Sequence, residues 1–292
     1  MKELELITLF YHVDNFCKMF EPIWEKKLLE GPTSSSRWWK TRKSSMALSE
    51  IMTIIIFFQI FKSWTFKDYY LDHVTTWRHF FPKLVSYSRF ISLVKQVTVP
   101  LYVFQKILQG SSKGIAFIDS TPLSVCHICR SSSHKLFKDV AAKGKTSTGW
   151  FVGLKLHVIV NHKGEIITWS LTQGNVSDLS QVQPLCKNLK GKLVGDRGYI
   201  SSKLFNLLIE EGLQLLTRIR SNMKNILMDT FNKCLLKKRA LIESVFALFK
   251  TKYHIDHHRH RSKVNFFINL LGGLIAYSVS KKKPTLRNVW VN

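Results

Sequence analysis

Acidic side chains are scarce in this chain. Nineteen Asp and Glu stand against 44 Lys and Arg in 292 residues, for a formal charge of +25. Such an excess calls for a polyanionic partner. Nucleic acid fits best, because each neutralised phosphate releases counterions. An acidic protein or an anionic membrane surface is the other class this charge permits. Cysteine is sparse as well. Cys17, Cys126, Cys129, Cys186 and Cys234 make an odd set of five in a long chain, which excludes a secreted disulfide framework and points to a reducing compartment. No secretory leader is expected, since Met1–Phe10 carries Glu3 and Glu5 where a basic segment would stand. Long apolar runs are missing too. The two best, Ile51–Phe61 and Phe266–Val279, fall short of the ~18–20 residues of a membrane span and read as buried helices. No internal repeat is present. Core-forming material is there: 45% of residues are hydrophobic and 12% aromatic, enough for one large domain or two ordinary ones.

Two textures divide the chain. Residues 1–110 read as a helical domain. Leu4, Ile7, Phe10, Tyr11 and Val13 include i,i+3 and i,i+4 spacings, and Gly31–Ser36 is a break. Ser49 and Glu50 open an apolar helix to about Phe61, and a further helix covers Tyr87–Lys106, interrupted at Pro100. Arg37, Trp38, Trp39, Lys40, Arg42 and Lys43 form a basic–aromatic cluster. It suits DNA contact, or equally a solvated charge run beside a packed Trp pair.

From about residue 111 the pattern is α/β. Ile115–Ser120 is an apolar strand ending around Asp119, with Ser124–Ile128 as a returning strand. Trp150–Val160 alternates like a half-buried strand, Asn161–Gly164 is a hairpin turn and Glu165–Leu171 its partner. A helix at Asp178–Leu189, a strand at Lys192–Asp196, a helix at Ser201–Glu211, a strand at Leu213–Ile219 and a helix at Lys237–Lys250 follow. This order predicts a mixed sheet flanked by helices. Lys281–Asn292 is a basic tail, weakly ordered at its end.

Because acids are few, their places are informative. Asp119 and Asp196 each close an apolar strand. If those strands are neighbours, both carboxylates emerge at one sheet edge, where open α/β sheets bind ligands; each alone also fits a helix cap or turn. Glu243 lies on an apolar helix, on one face with Arg239 and Lys250. Such a carboxylate needs a partner or a metal, and a plain i,i+4 pair with Arg239 would suffice. Together, three carboxylates in a basic chain fit hard divalent cations, and two such ions can drive phosphodiester displacement.

At this point the sequence resembles the DDE transposases of bacterial insertion sequences, specifically the insertion sequence 982 family. The matching stretches are Ser49–Thr53 with Phe66–Tyr70, Ser86–Phe90, Ile118–Pro122, Gly149–His157, Gly174–Asp178 and Gly195–Tyr199. They continue with Asn222–Asn225, Lys238–Glu243 and His258–Ser262 running into Asn265–Tyr277. The resemblance implies a ribonuclease H-like core with a five-stranded mixed sheet over 111–292, ending in a basic helix and tail, after a DNA-binding helical domain over 1–110. It implies Asp119 on the first strand, Asp196 on the fourth and Glu243 on a later helix, as catalytic residues and as ligands of two Mg²⁺, with Mn²⁺ as substitute. Arg239 and Lys250 match the spacing of a family signature around the Glu, in which Leu236 replaces a Tyr, and would touch DNA phosphates. Arg259, Arg261, Lys155, Lys224, Arg37 and Lys40 complete the expected DNA contacts.

Other motifs stay open. Cys126, His127, Cys129 and His134 hint at zinc, but no second ligand pair follows. His254, His257, His258, Arg259, His260 and Arg261 favour phosphate contact over metal binding. Lys155 and His157 share a strand face and either point to the active edge or serve structure. Asp178 is a helix cap or a spare ligand.

The function the resemblance implies is a DNA transposase. It would cleave at terminal inverted repeats and transfer 3′-hydroxyl ends into target DNA, as a homodimer or larger assembly in a bacterial cytoplasm, associated with the nucleoid. A metal-dependent nuclease that only hydrolyses, and an inactive relative acting as a DNA-binding repressor, are the alternatives.

Overall fold

A computed structural model describes residues 2–30, 44–61, 63, 65–147, 149–218, 228–256 and 260–286. Two compact units divide them. One comprises Met1–Leu108 with Val264–Val279; the other comprises Gln109–Lys263 with Ser280–Asn292.

The first unit is helical. It contains α1 (Lys2–Glu30), α2 (Leu48–Phe61), an irregular helical stretch at Phe66–Trp77, α3 (Tyr87–Val94) and α4 (Thr98–Ile107). The expected single helix at 87–106 is broken at Lys95–Val97 by a tight turn, not at Pro100. Pro100 stands in the first turn of α4, where an N–H has no helical partner to lose. Nine of the fourteen residues of α2 are buried, which explains its apolar run. Among the described residues no single helix is long and apolar enough to cross a membrane.

The second unit carries the sheet. Its elements are β1 (Ile115–Cys126), β2 (Ala142–Thr146), β3 (Gly149–Asn161), β4 (Ile166–Gln173), α5 (Leu179–Cys186), β5 (Gly191–Val194), α6 (Ser202–Glu210), β6 (Leu213–Leu216), α7 (Thr230–Lys237) and α8 (Ala240–Thr251). A last helix, α9 (Lys263–Val279), belongs to the first unit over Val264–Val279, so the expected domain over 111–292 loses it. The reason is packing. Gln59 Nε2 donates to Asn269 Oδ1 at 2.7 Å, and Gly272 lets the helix approach Ile55.

The sheet is mixed. β1 pairs antiparallel with β3 and parallel with β5, and β5 pairs parallel with β6. The far edge of β3 is shared. β2 pairs with Gly149–Gly153, and β4 pairs with Leu154–Val160. With β2 set aside, the order is β4-β3-β1-β5-β6, a five-stranded core in which β5 is the fourth strand. This is the ribonuclease H-like arrangement the resemblance implied.

Three local expectations change. β1 does not end near Asp119 and return; it runs straight on to Cys126, with Thr121, Leu123 and Val125 facing inward. Pro122 is tolerated because beyond Phe117 β1 has β3 as its only paired neighbour. β3 is buried on both faces rather than one, since helices cover the sheet on each side. The expected helix over 237–250 begins only at Ala240. A separate helix, α7, precedes it and is held to β5 by Lys192 Nζ donating to Asn232 Oδ1 at 2.6 Å.

Alternation assigns the faces. Ala116 and Ile118 of β1, Ile159, Leu193, Leu213 and Leu215 form one core with Val182, Leu185 and Cys186 of α5 and Leu208 of α6. Phe117 and Asp119 point to the other face, against which α8 lies on β1.

Candidate active site

The last paired residues of the parallel strands are Phe117 and Val194. Asp119 and Asp196 lie two residues beyond each. Equal displacement from one register point brings both to the same sheet end, on the carboxyl side of β5. Asp119 is half-buried and its Oδ1 accepts the Ser120 N–H at 2.8 Å. Asp196 is exposed, and its side chain caps nothing; its carbonyl accepts the Tyr199 N–H at 3.0 Å in the turn Arg197–Tyr199. The cap explanation for Asp196 is therefore set aside.

Glu243 enters from α8. Its side chain is 53% exposed, so the apolar helix does not bury it. Arg239 immediately precedes α8 and its two terminal nitrogens divide. Nη1 donates to Asp119 Oδ2 at 3.2 Å, and Nη2 pairs with Glu243 Oε1. The i,i+4 pair therefore exists, and the same guanidinium also reaches the strand.

These groups act on one another electrostatically. Burial raises the Asp119 carboxyl to about 6. The Ser120 N–H and the Arg239 charge hold it down, while Asp196 and Glu243 push it up. A carboxylate crowded by two others needs positive charge, and the guanidinium supplies it.

Beneath this cluster lies Tyr199. It is buried, and a Cβ on Gly195 would stand 3.0 Å from its Cδ2 and 3.2 Å from Ile118 Cγ2. Glycine there lets the ring sit close under the strand end. Burial raises the phenol well above its ordinary range, and Asp119, Asp178 and Asp196 add to the shift.

Asp178 does not cap α5 through its side chain. Its Oδ1 accepts from Lys155 Nζ at 3.1 Å, and the same ammonium donates to the Val176 carbonyl at 3.0 Å. His157 is fully buried, with Nε2 2.8 Å from Thr172 Oγ1 and Nδ1 3.8 Å from Asp178 Oδ1. Burial lowers the imidazole to about 4, with Asp178 opposing and Lys155 assisting, so it is neutral at pH 7.

The expected residues thus sort as follows. Asp119, Asp196, Glu243 and Arg239 are brought together. Lys155 is committed to Asp178 rather than free for phosphate. Lys250 is half-buried in the last turn of α8, and Arg261 is exposed beyond it. Arg37, Lys40, Lys224 and Arg259 lie outside the described residues. Tyr199 was missed as a neighbour of the site; Asp178, read as a helix cap or a spare ligand, stands nearby in an ion pair with Lys155.

Among the described residues, no three His, Cys, Asp or Glu side chains are grouped closely enough to share one metal ion. At the carboxylates, a cation already stands between Asp119 and Glu243: the guanidinium. The donor set is all carboxylate oxygen, which suits Mg²⁺ or Mn²⁺. Arg239 marks where positive charge belongs, and the residues fit such an ion.

A family model described as "Transposase DDE domain" matches residues 109–263, the main stretch of the second unit. No curated protein matches the chain. Among solved structures, a piggyBac transposase in a synaptic complex with hairpin DNA is similar at 14% identity and a TM-score of 0.38. The match covers 64% of this chain and 46% of that one.

Proposed function

The chain belongs to the family of transposase DDE domains, and from that premise we propose that it is a DNA transposase of the insertion sequence 982 type. It cleaves at the ends of an insertion sequence and transfers the freed 3′-hydroxyls into target DNA. The observation that carries the reading is the convergence of Asp119 of β1 and Glu243 of α8 on one guanidinium, with Asp196 at the same sheet end, beyond β5.

Asp119, Asp196 and Glu243 would hold divalent cations, Mg²⁺ or Mn²⁺. Bound there, such ions supply activation of the attacking oxygen and charge neutralisation at the leaving oxygen. Asp119, with a pKa of about 6, is mostly ionised at pH 7–8 and so ready to serve as a ligand. Arg239 keeps Asp119 and Glu243 from repelling each other while the site is empty of substrate, and turns to the DNA phosphate when they take another cation. Tyr199 and Gly195 fix the strand end from which Asp196 projects. The +25 charge holds the DNA backbone. Joining two element ends to one target calls for at least a dimer, working in the cytoplasm at the nucleoid.

The test is cleavage and joining on DNA that carries the gene's own flanks, with Mg²⁺ or Mn²⁺. Wild type should release 3′ ends and join them; Asp196→Asn and Glu243→Gln should do neither. Cutting without joining would mean a hydrolytic nuclease. Binding without cutting would mean a DNA-binding repressor.

A further inference from the structure

Between β1 and β3 the chain inserts residues 127–148, and these end in β2. β1 last pairs with β3 at Val152, through Cys126. β2 continues the ladder outward, Lys145 opposite Trp150 and Thr146 opposite Gly149. The tip of this two-stranded arm thus extends past the end of β1.

Its two faces differ. On the inner face Gly144 and Phe151 are buried. A Cβ on Gly144 would stand 2.2 Å from the Gly174 carbonyl oxygen, and one on Gly174 would stand 2.7 Å from that of Ala142. Backbone packs on backbone there beside the Phe151 ring, so the arm is seated on the end of β4.

The outer face carries Trp150. It is 56% exposed, the one exposed tryptophan among the described residues. Lys143 and Lys145 alternate onto the same face. Their Nζ atoms stand 5.1 Å and 5.5 Å from the indole centroid, and both side chains are exposed. Guarding an edge strand against aggregation explains the lysines. It does not explain a large apolar ring left in water between them. An indole flanked by two ammonium groups is what a nucleic-acid strand recognises: the cations meet phosphates and the ring packs on a sugar or base.

Position gives the arm a place on the substrate. Asp119 pairs with Val158, eight residues along β3 from Trp150. At ~3.3 Å per residue that is roughly 25 Å, or about seven to eight base pairs at ~3.4 Å each. We infer that Lys143, Lys145 and Trp150 form a DNA-binding arm that grips the strand about seven to eight base pairs from the phosphodiester cut at Asp119. The inference deepens the transposase reading and rests on it.

The experiment uses the full chain and duplex DNA carrying the gene's flanks, with binding measured across a salt series and by hydroxyl-radical footprinting. Lys143→Gln with Lys145→Gln should lower the salt slope by about 2, since each lysine releases roughly one counterion. Trp150→Ala should weaken binding about tenfold without changing that slope, and Trp150→Phe should keep most of it. Protection should fade in these variants about seven to eight base pairs from the cut and persist at the cut itself. All three residues are exposed, so the variants fold. Wild-type binding with unchanged slope, affinity and footprint in every variant would overturn the arm and leave the transposase reading intact. A wild type that binds no DNA would overturn both.

Discussion

Arg239 and Asp119 are 120 positions apart in the chain, and the guanidinium of one donates to the carboxylate of the other at 3.2 Å. The same guanidinium pairs with Glu243. It therefore competes with any divalent cation for two of the three acids. Arg239→Gln should bind Mg²⁺ or Mn²⁺ several-fold more tightly while cutting DNA less well. Thermal stabilisation by the ion reads the first effect, since a ligand at a hundred times its Kd adds about 2.7 kcal/mol to the folded state. Asp119→Asn should lose that stabilisation. Unchanged or weaker ion affinity in Arg239→Gln would mean the guanidinium is no competitor.

Asp119 and His157 should oppose each other in acid. Asp119 has a folded pKa of about 6 against an ordinary 3.8. The folded state then binds more protons between these values, so this group's contribution to stability is present below pH 3.8 and is lost as pH rises to about 6. His157 has a folded pKa of about 4 against 6.5. There the unfolded state binds more protons, so stability is full above pH 6.5 and is lost as pH falls towards 4. Each contributes on the order of 1–3 kcal/mol. Over pH 4–6.5 the two slopes nearly cancel. Without metal, Asp119→Asn should therefore weaken steadily on acidification, and His157→Gln should show the opposite slope. Urea unfolding at pH 4.5, 5.5 and 7 measures both; parallel profiles would refute the assignment.

Glycine at 153 is a steric requirement of β3. A Cβ there would stand 2.1 Å from the Leu123 carbonyl oxygen, across the ladder that carries Asp119. Gly153→Ala should cost about 1–3 kcal/mol in stability, as over-packing does. The denaturant midpoint is the readout, and a midpoint like wild type would show that the strands part more easily than this.

Lys155 should matter for stability more than for DNA affinity. Its ammonium is spent on Asp178 and the Val176 carbonyl. Asp178 is partly exposed, which discounts the pair to about 1 kcal/mol of coupling. A double-mutant cycle of Lys155→Met and Asp178→Asn should find that coupling in unfolding, with little change in the salt slope of DNA binding. A slope reduced by about 1 in Lys155→Met would instead return Lys155 to the phosphate contacts.

The sequence was most informative where chemistry constrains it twice. Asp119 and Asp196 each follow an apolar run and stand out in a chain poor in acid, and the structure brings them to one sheet end. Arg239 and Glu243 were legible as i,i+4 neighbours. That Arg239 also reaches β1 was not, because a contact across 120 positions leaves no local pattern. β2 was missed for a similar reason. Ala142–Thr146 has little strand propensity, and Gly144 is there to let two backbones touch. The break before α8 escaped because Lys238 and Arg239 continue a helical pattern while the chain turns. His157 and Lys155 share a strand face as expected, yet their partner Asp178 comes from a segment whose residues alone favoured a cap.

The interleaving of the two units has a consequence for biosynthesis. The helix that packs on Ile55 and Gln59 spans Lys263–Val279, so the first 108 residues emerge from the ribosome long before their last partner exists. At ~5–20 residues per second the wait is roughly 10–30 s. Through that interval α2 offers its apolar side to whatever is near, a chaperone or another nascent copy. The same arithmetic makes residues 1–110 a poor fragment to express alone: the piece that looks like a free-standing domain is finished by α9.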